Sequence, residues 1–160
     1  MGSTPDGYRD LSFSTYDELT SELDRLESAH RAGTLVASGN WSAGQIFQHV
    51  GRFMRFSFDG FPFRTPWYIA LIGRCMKPFM GFMSLKPGIK LPAGAEALLP
   101  DDGVSFEDGI GELREQLARR ANGERMEKRS PLFGRLGHER WSKMHLDHAA
   151  MHLGFLRVGE

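Results

Sequence analysis

The pattern that most constrains this chain is helical. Apolar residues recur at three- and four-residue steps in four separate stretches, while the alternation of a half-buried strand is almost absent. In the first stretch Tyr16, Leu19, Leu23 and Leu26 form one stripe. Ser14 or Thr15 can cap it, Asp17 and Glu18 sit where the helix dipole favours negative charge, and Gly33 can end it. A second helix is expected to start at Ser42, to carry Ile46, His49, Val50, Phe53 and Phe56 or Ser57 on its stripe, and to stop near Gly60 and Pro62. A third begins at Ser105, with Asp108 as a variant of the capping box and Phe106, Ile110, Leu113 and Leu117 on its apolar face. The last is expected from about Glu139 to Val158. Amphipathic helices must bury their stripes against one another, which predicts an all-α fold, a four-helix bundle, as a single domain over residues 1–160.

Between helices two and three lies an irregular stretch, residues 61–100, with six of the eight prolines. Within it, Trp67–Met83 is expected as a helix broken near Pro78, and the segment from Ser84 to Pro100 as loop. A connection this long is a decorated crossover that covers something or packs as an arm. The apolar Trp67–Met83 run contains Arg74, Lys77 and Pro78, and each cation would cost roughly 2.5–3.5 kcal/mol at a bilayer centre. It is therefore read as a helix within a soluble fold. The N-terminus has no basic region followed by an apolar one, so a cytoplasmic protein with no membrane partner is expected. The aromatic and methionine-rich run Phe53–Met83 is read mainly as core and crossover packing; whatever part of it is exposed predicts a homodimer.

Charge narrows the function. Twenty basic and twenty acidic residues give a formal net charge of zero, against a protein whose main task is coating nucleic acid. The charged run ending helix three alternates its cations with Glu124 and Glu127 and reads as a solvated helix end. A single cysteine, Cys75, excludes an intramolecular disulfide framework and any multi-cysteine zinc site; in its apolar surroundings it is expected as a small hydrophobe rather than a reactive thiol.

Of six histidines, four lie in the fifteen residues 138–152. On the last helix His145, His148 and His152 fall within about 60° of one another, flanked by Trp141, Met144, Met151 and Phe155. His148 and His152 are one turn apart, so both imidazoles can address one ion, and a third ligand from elsewhere would leave a position for water or substrate. His49, on the apolar stripe of helix two, is the natural third. Alone it would more simply be a hydrogen-bonded core histidine; with His148 and His152 it suggests a divalent metal, and imidazole suits zinc, nickel, copper or iron. His145 is placed on the cofactor's side of the site, as a spare ligand, a donor behind the ligands or part of the mouth. Asp147 is expected to be solvated, and His30 and His138 to be surface or capping residues.

A histidine in helix two after a Trp-Ser start, followed about a hundred residues later by His-x-x-x-His in the final helix, resembles the DinB/YfiT-like metalloenzyme superfamily. The likeness is closer to a bacterial branch of unknown function, in the SPLFGRLGHERWSKMHLDHAAMHLGFL segment and the KPGIKLPAGAEALLP stretch. Its specific residues are Trp41, His49, Pro131, Phe133, Gly134, Trp141, His148 and His152. The resemblance implies a bundle in up-down-down-up order with one long crossover, and a metal, zinc or nickel first, on His49, His148 and His152 near one end. Relatives often have adjacent histidines before the last leucine, where this chain has Met151-His152. The resemblance further implies a metal-dependent enzyme acting on a small molecule, either a transferase using a low-molecular-weight thiol or a hydrolase. A non-catalytic binding or stress-response module, with core histidines or a structural metal, stands as the alternative.

Overall fold

Short-range hydrogen bonding starts three of the helices. Helix α1 (Tyr16–Arg31) opens on a reciprocal capping box, in which Thr15 accepts the Glu18 N–H and the Glu18 carboxylate accepts the Thr15 N–H. Helix α2 (Ala43–Asp59) repeats this with Ser42 and Gln45, and ends against Gly60, whose φ of 106° is a conformation that favours glycine. The computed structural model describes residues 7–77 and 94–159. Among them α3 is Trp67–Met76, α4 is Phe106–Ala121 and α5 is His138–Leu153, with two short strands, β1 (Leu35–Ala37) and β2 (Leu156–Val158). Ser105 caps α4 by accepting the Asp108 N–H, but its hydroxyl bonds the Asp108 carboxylate at 2.7 Å, so the box does not close on the backbone.

The described residues are mostly helical, with one main buried cluster and a small second one of Phe56, Ala95 and Leu98. Leu19, Leu23 and Leu26 of α1, Ile46, Phe47, Val50 and Met54 of α2, Ile110 and Leu113 of α4, and Trp141, Ala149 and Leu153 of α5 belong to one buried cluster. Helices α2 and α4 approach so closely that glycine is required at their crossing. A Cβ on Gly109 would lie 2.1 Å from the Gly44 carbonyl oxygen, and one on Gly51 would lie 2.9 Å from the Leu113 backbone nitrogen. Close backbone approach of this kind fixes the height of α2, and so of His49, against its neighbour.

Two expectations are corrected. The last helix stops at Leu153 instead of reaching Val158, because residues 156–158 leave it to pair antiparallel with β1, in the register Leu35↔Val158, Val36↔Arg157 and Ala37↔Leu156. The turn is packed where it begins: a Cβ on Gly154 would meet the Arg9 carbonyl at 2.5 Å, and the Arg9 side chain bonds the Leu153 and Leu156 carbonyls. The second concerns the crossover, where α3 is a discrete fifth helix whose outer face is exposed rather than packed; Cys75 lies exposed on it instead of filling a core. The expected break near Pro78 and most of the loop that follows lie outside the described residues. No helix among the described residues is long and apolar enough to cross a membrane.

Candidate metal centre

The three histidines expected to converge do so. His49 projects from the middle of α2, and His148 and His152 from consecutive turns near the end of α5. Their ring centroids are 5.0 Å apart for His49 and His148, 4.5 Å for His49 and His152, and 4.5 Å for His148 and His152. Each offers one ligand atom, and these atoms all lie within 4.8 Å of one another. In a tetrahedral site with bonds of roughly 2.0–2.1 Å two nitrogens lie about 3.4 Å apart, so an inward movement of each ring by less than about one ångström closes the set.

Hydrogen bonding decides which nitrogen His49 can offer. Its Nδ1 lies 2.6 Å from the Leu98 carbonyl oxygen. A carbonyl only accepts, so Nδ1 carries the proton and Nε2 keeps its lone pair. This is the arrangement by which a backbone carbonyl orients a ligating imidazole and raises its basicity. The carbonyl is itself held in place. Residues Glu96–Leu98 form a 3-10 turn, and the chain beyond it is clamped to α2. Gln48 accepts the Asp101 N–H at 2.7 Å and donates to its carboxylate at 3.0 Å, and Arg52 bonds both that carboxylate and the Leu99 carbonyl. The Arg52 guanidinium holds the Asp101 carboxyl below its ordinary pKa.

Burial makes the cluster neutral. It lowers the pKa of His49, against the opposing pull of the Leu98 carbonyl and with a smaller contribution from Arg52. It takes His152 down to about 3, with help from His49, and drives His148 well below the usual imidazole value, helped by His152, His49 and His145. Neutral imidazole is the form that binds metal. The aromatic surroundings complete the cage: Trp41 stacks on His152 at 5.7 Å and lies 4.9 Å from His49, and Phe53 lies 4.7 Å from His148. His148 Nδ1 is buried with no hydrogen-bond partner. Three neutral nitrogens, one orphaned and one with its tautomer set from behind, fit a divalent ion.

His145 is not part of this convergence. It is buried between Trp141, at 5.3 Å, and Phe53, at 5.0 Å, and its Nε2 lies 3.0 Å from the Ser57 hydroxyl. Ser57 donates its own proton to the Met54 carbonyl at 2.6 Å, so it accepts from His145 Nε2–H and leaves Nδ1 as a bare, unpartnered acceptor. Burial takes this imidazole to about 3. Asp147 bonds Lys143 one turn away, His138 accepts the Met126 N–H, and His30 stacks on Phe106.

Sequence reasoning missed the Leu98 carbonyl, because a backbone acceptor leaves no signature in residue type. It also missed the clamp, although Gln48 and Arg52, one turn apart on α2 and partly or wholly buried there, were a readable signal.

Residues 6–158 match the profile of a family described as a protein of unknown function, DUF1569. The chain belongs to the DUF1569 family. Comparison with curated proteins and with solved structures returns no match. All three converging histidines, Trp41 and the Leu98 carbonyl fall within the DUF1569 region, which covers nearly the whole chain.

Proposed function

We propose that this DUF1569 protein is a divalent-metal-dependent enzyme of the DinB/YfiT-like kind. In this reading α1, α2, α4 and α5 are a four-helix bundle in up-down-down-up order, and α3 belongs to the long crossover. His49, His148 and His152 hold zinc or nickel, and the reaction is thiol-dependent S-transfer or hydrolysis of a small molecule. The observation that carries the proposal is the meeting of three neutral imidazoles from two helices with ligand atoms within 4.8 Å. An ion on three uncharged ligands keeps its charge uncompensated, and so supplies either an acidified water or a stabilised thiolate.

The chain's own residues prepare that site. The Leu98 carbonyl holds the His49 tautomer, and the Arg52–Asp101–Gln48 clamp holds Leu98. Trp41 and Phe53 limit water at the rings. His145, with a bare Nδ1, is assigned to the cofactor's side. With Cys75 the only cysteine, a thiol reaction would draw its thiol from outside the chain.

Metal content of protein purified without an affinity tag tests this reading, together with melting of metal-free protein before and after adding zinc or nickel. A stoichiometric ion and a rise in melting temperature are expected, and His152→Ala should lose both. Less than about a tenth of an equivalent with no rise would remove the proposal, since a ligand bound only by the folded state must stabilise it. The second reading is a non-catalytic module in which the same histidines are core residues or hold a structural metal. Cobalt-substituted protein separates the two: a thiolate-to-metal band on adding a small thiol marks an open position, and its absence marks a structural site.

A further inference from the structure

Helix α3 is built inside out. Its inner side is made of its smallest residues: Ala70 and Gly73 are buried, and a Cβ on Gly73 would lie 2.6 Å from the Leu132 carbonyl oxygen. Five of its six large apolar residues face away; Ile69 is half-buried. Trp67 is 77% exposed, Tyr68 53%, Leu71 51%, Ile72 62% and Met76 39%. At 100° per residue these five and Cys75 fill one continuous half of the helix, with Arg74 at its margin. A contiguous apolar face of this kind marks a contact surface rather than a solvated one.

Charge says what that surface meets. Between Asp59 and Glu96 the sequence has no acidic residue, and its described part carries Arg64, Arg74 and Lys77. A chain that is neutral as a whole has only positive charge in the sequence flanking the helix that exposes its apolar side chains. Arg64 and Arg74 are exposed, and Lys77 reaches the carbonyl of exposed Arg135, which adds a further cation beside the helix. Two copies meeting through this face would oppose cation to cation with no acid in the stretch to relieve them. An anionic bilayer surface answers both features at once. Large apolar residues with tryptophan and tyrosine enter the boundary between headgroups and acyl chains, and flanking cations pair with the headgroups.

We propose that α3 docks this protein onto an anionic membrane surface, as an interfacial helix lying in the plane of the bilayer. At 10 residues it is too short to span, and nothing in the contact requires it to. This departs from the expectation that the protein has no membrane partner, and it is independent of the metal reading.

The test is sedimentation of the full chain with phosphatidylcholine vesicles, with and without about 30 mol% phosphatidylserine, combined with tryptophan emission. Binding is expected only with phosphatidylserine, together with a blue shift that Trp67→Phe abolishes, and release as salt is raised. Arg74→Glu should weaken binding about thirtyfold, two charge units each worth about 1 kcal/mol at such a surface. Ile72→Ser should weaken it while leaving the melting temperature unchanged, because Ile72 is exposed. Three results would overturn the proposal: no sedimentation with anionic vesicles at low salt, a blue shift that survives Trp67→Phe, or a dimer in light scattering that Ile72→Ser dissociates.

Discussion

At the scale of single residues, the centre depends on keeping imidazoles neutral. His145, His148 and His152 are held by burial far below the ordinary histidine pKa, two of them at about 3, and His49 is lowered too. In the unfolded chain the same groups take up protons near pH 6.5. Between that value and about 3 the unfolded state therefore binds more protons, and stability falls as pH falls. Each such histidine steepens the loss by about 1.4 kcal/mol per pH unit. Urea unfolding of metal-free protein at pH 7, 6 and 5 should show a midpoint that drops steadily; a flat line would mean that these rings are hydrated or protonated in the fold. The residue types were legible from the start, because histidines on apolar stripes stand out. The tautomer of His49 was not, since it is set by a carbonyl 49 positions away.

At the scale of elements, clearance between helices dominates. Gly109 sits where a Cβ would run into the Gly44 carbonyl, whereas Gly111, two residues on in the same helix, has nothing within 4 Å. The two should respond oppositely to alanine. Gly109→Ala should destabilise by about 1–3 kcal/mol, as overpacking does. Gly111→Ala should stabilise by about 0.5–1 kcal/mol, since alanine loses less backbone entropy in a helix. Chemical denaturation of both variants measures the difference, and equal effects would place the α2–α4 crossing elsewhere. Helix starts at Ser42 and Ser105 were legible, and that of α1 was narrowed to Ser14 or Thr15, because caps are local. The exposure of α3 was not, because an apolar decapeptide has the same composition whether its large side chains face in or out.

At the scale of the molecule, segments distant in sequence are tied together near Arg9 and Leu156. Strand β2 folds back from α5 onto β1, Leu156 is fully buried, and Arg9 bridges the Leu153 and Leu156 carbonyls while pairing with Glu22 of α1. Leu156→Ala should therefore cost about 2–5 kcal/mol, the range for a large buried side chain cut to alanine. Thermal melting would show it, and a shift no larger than that of a surface substitution would mean that the strand pair is not part of the cooperative unit. The predicted continuation of α5 through Val158 failed here. Three residues of strand carry too little periodicity to outweigh a helical pattern running into them, and their partner lies more than a hundred positions away.

The sequence by itself determined the helical character, the capped starts of α1, α2 and α4, and the three histidines facing inward from two helices, because each depends on spacing along a helix or on a hydrogen bond reaching only three or four residues. The tertiary structure alone decided that Leu98 orients one of them, that β2 leaves the last helix, and that α3 turns its apolar face outward. Each of these depends on which distant backbone occupies the neighbouring space, and the order of side chains along one element carries no record of that.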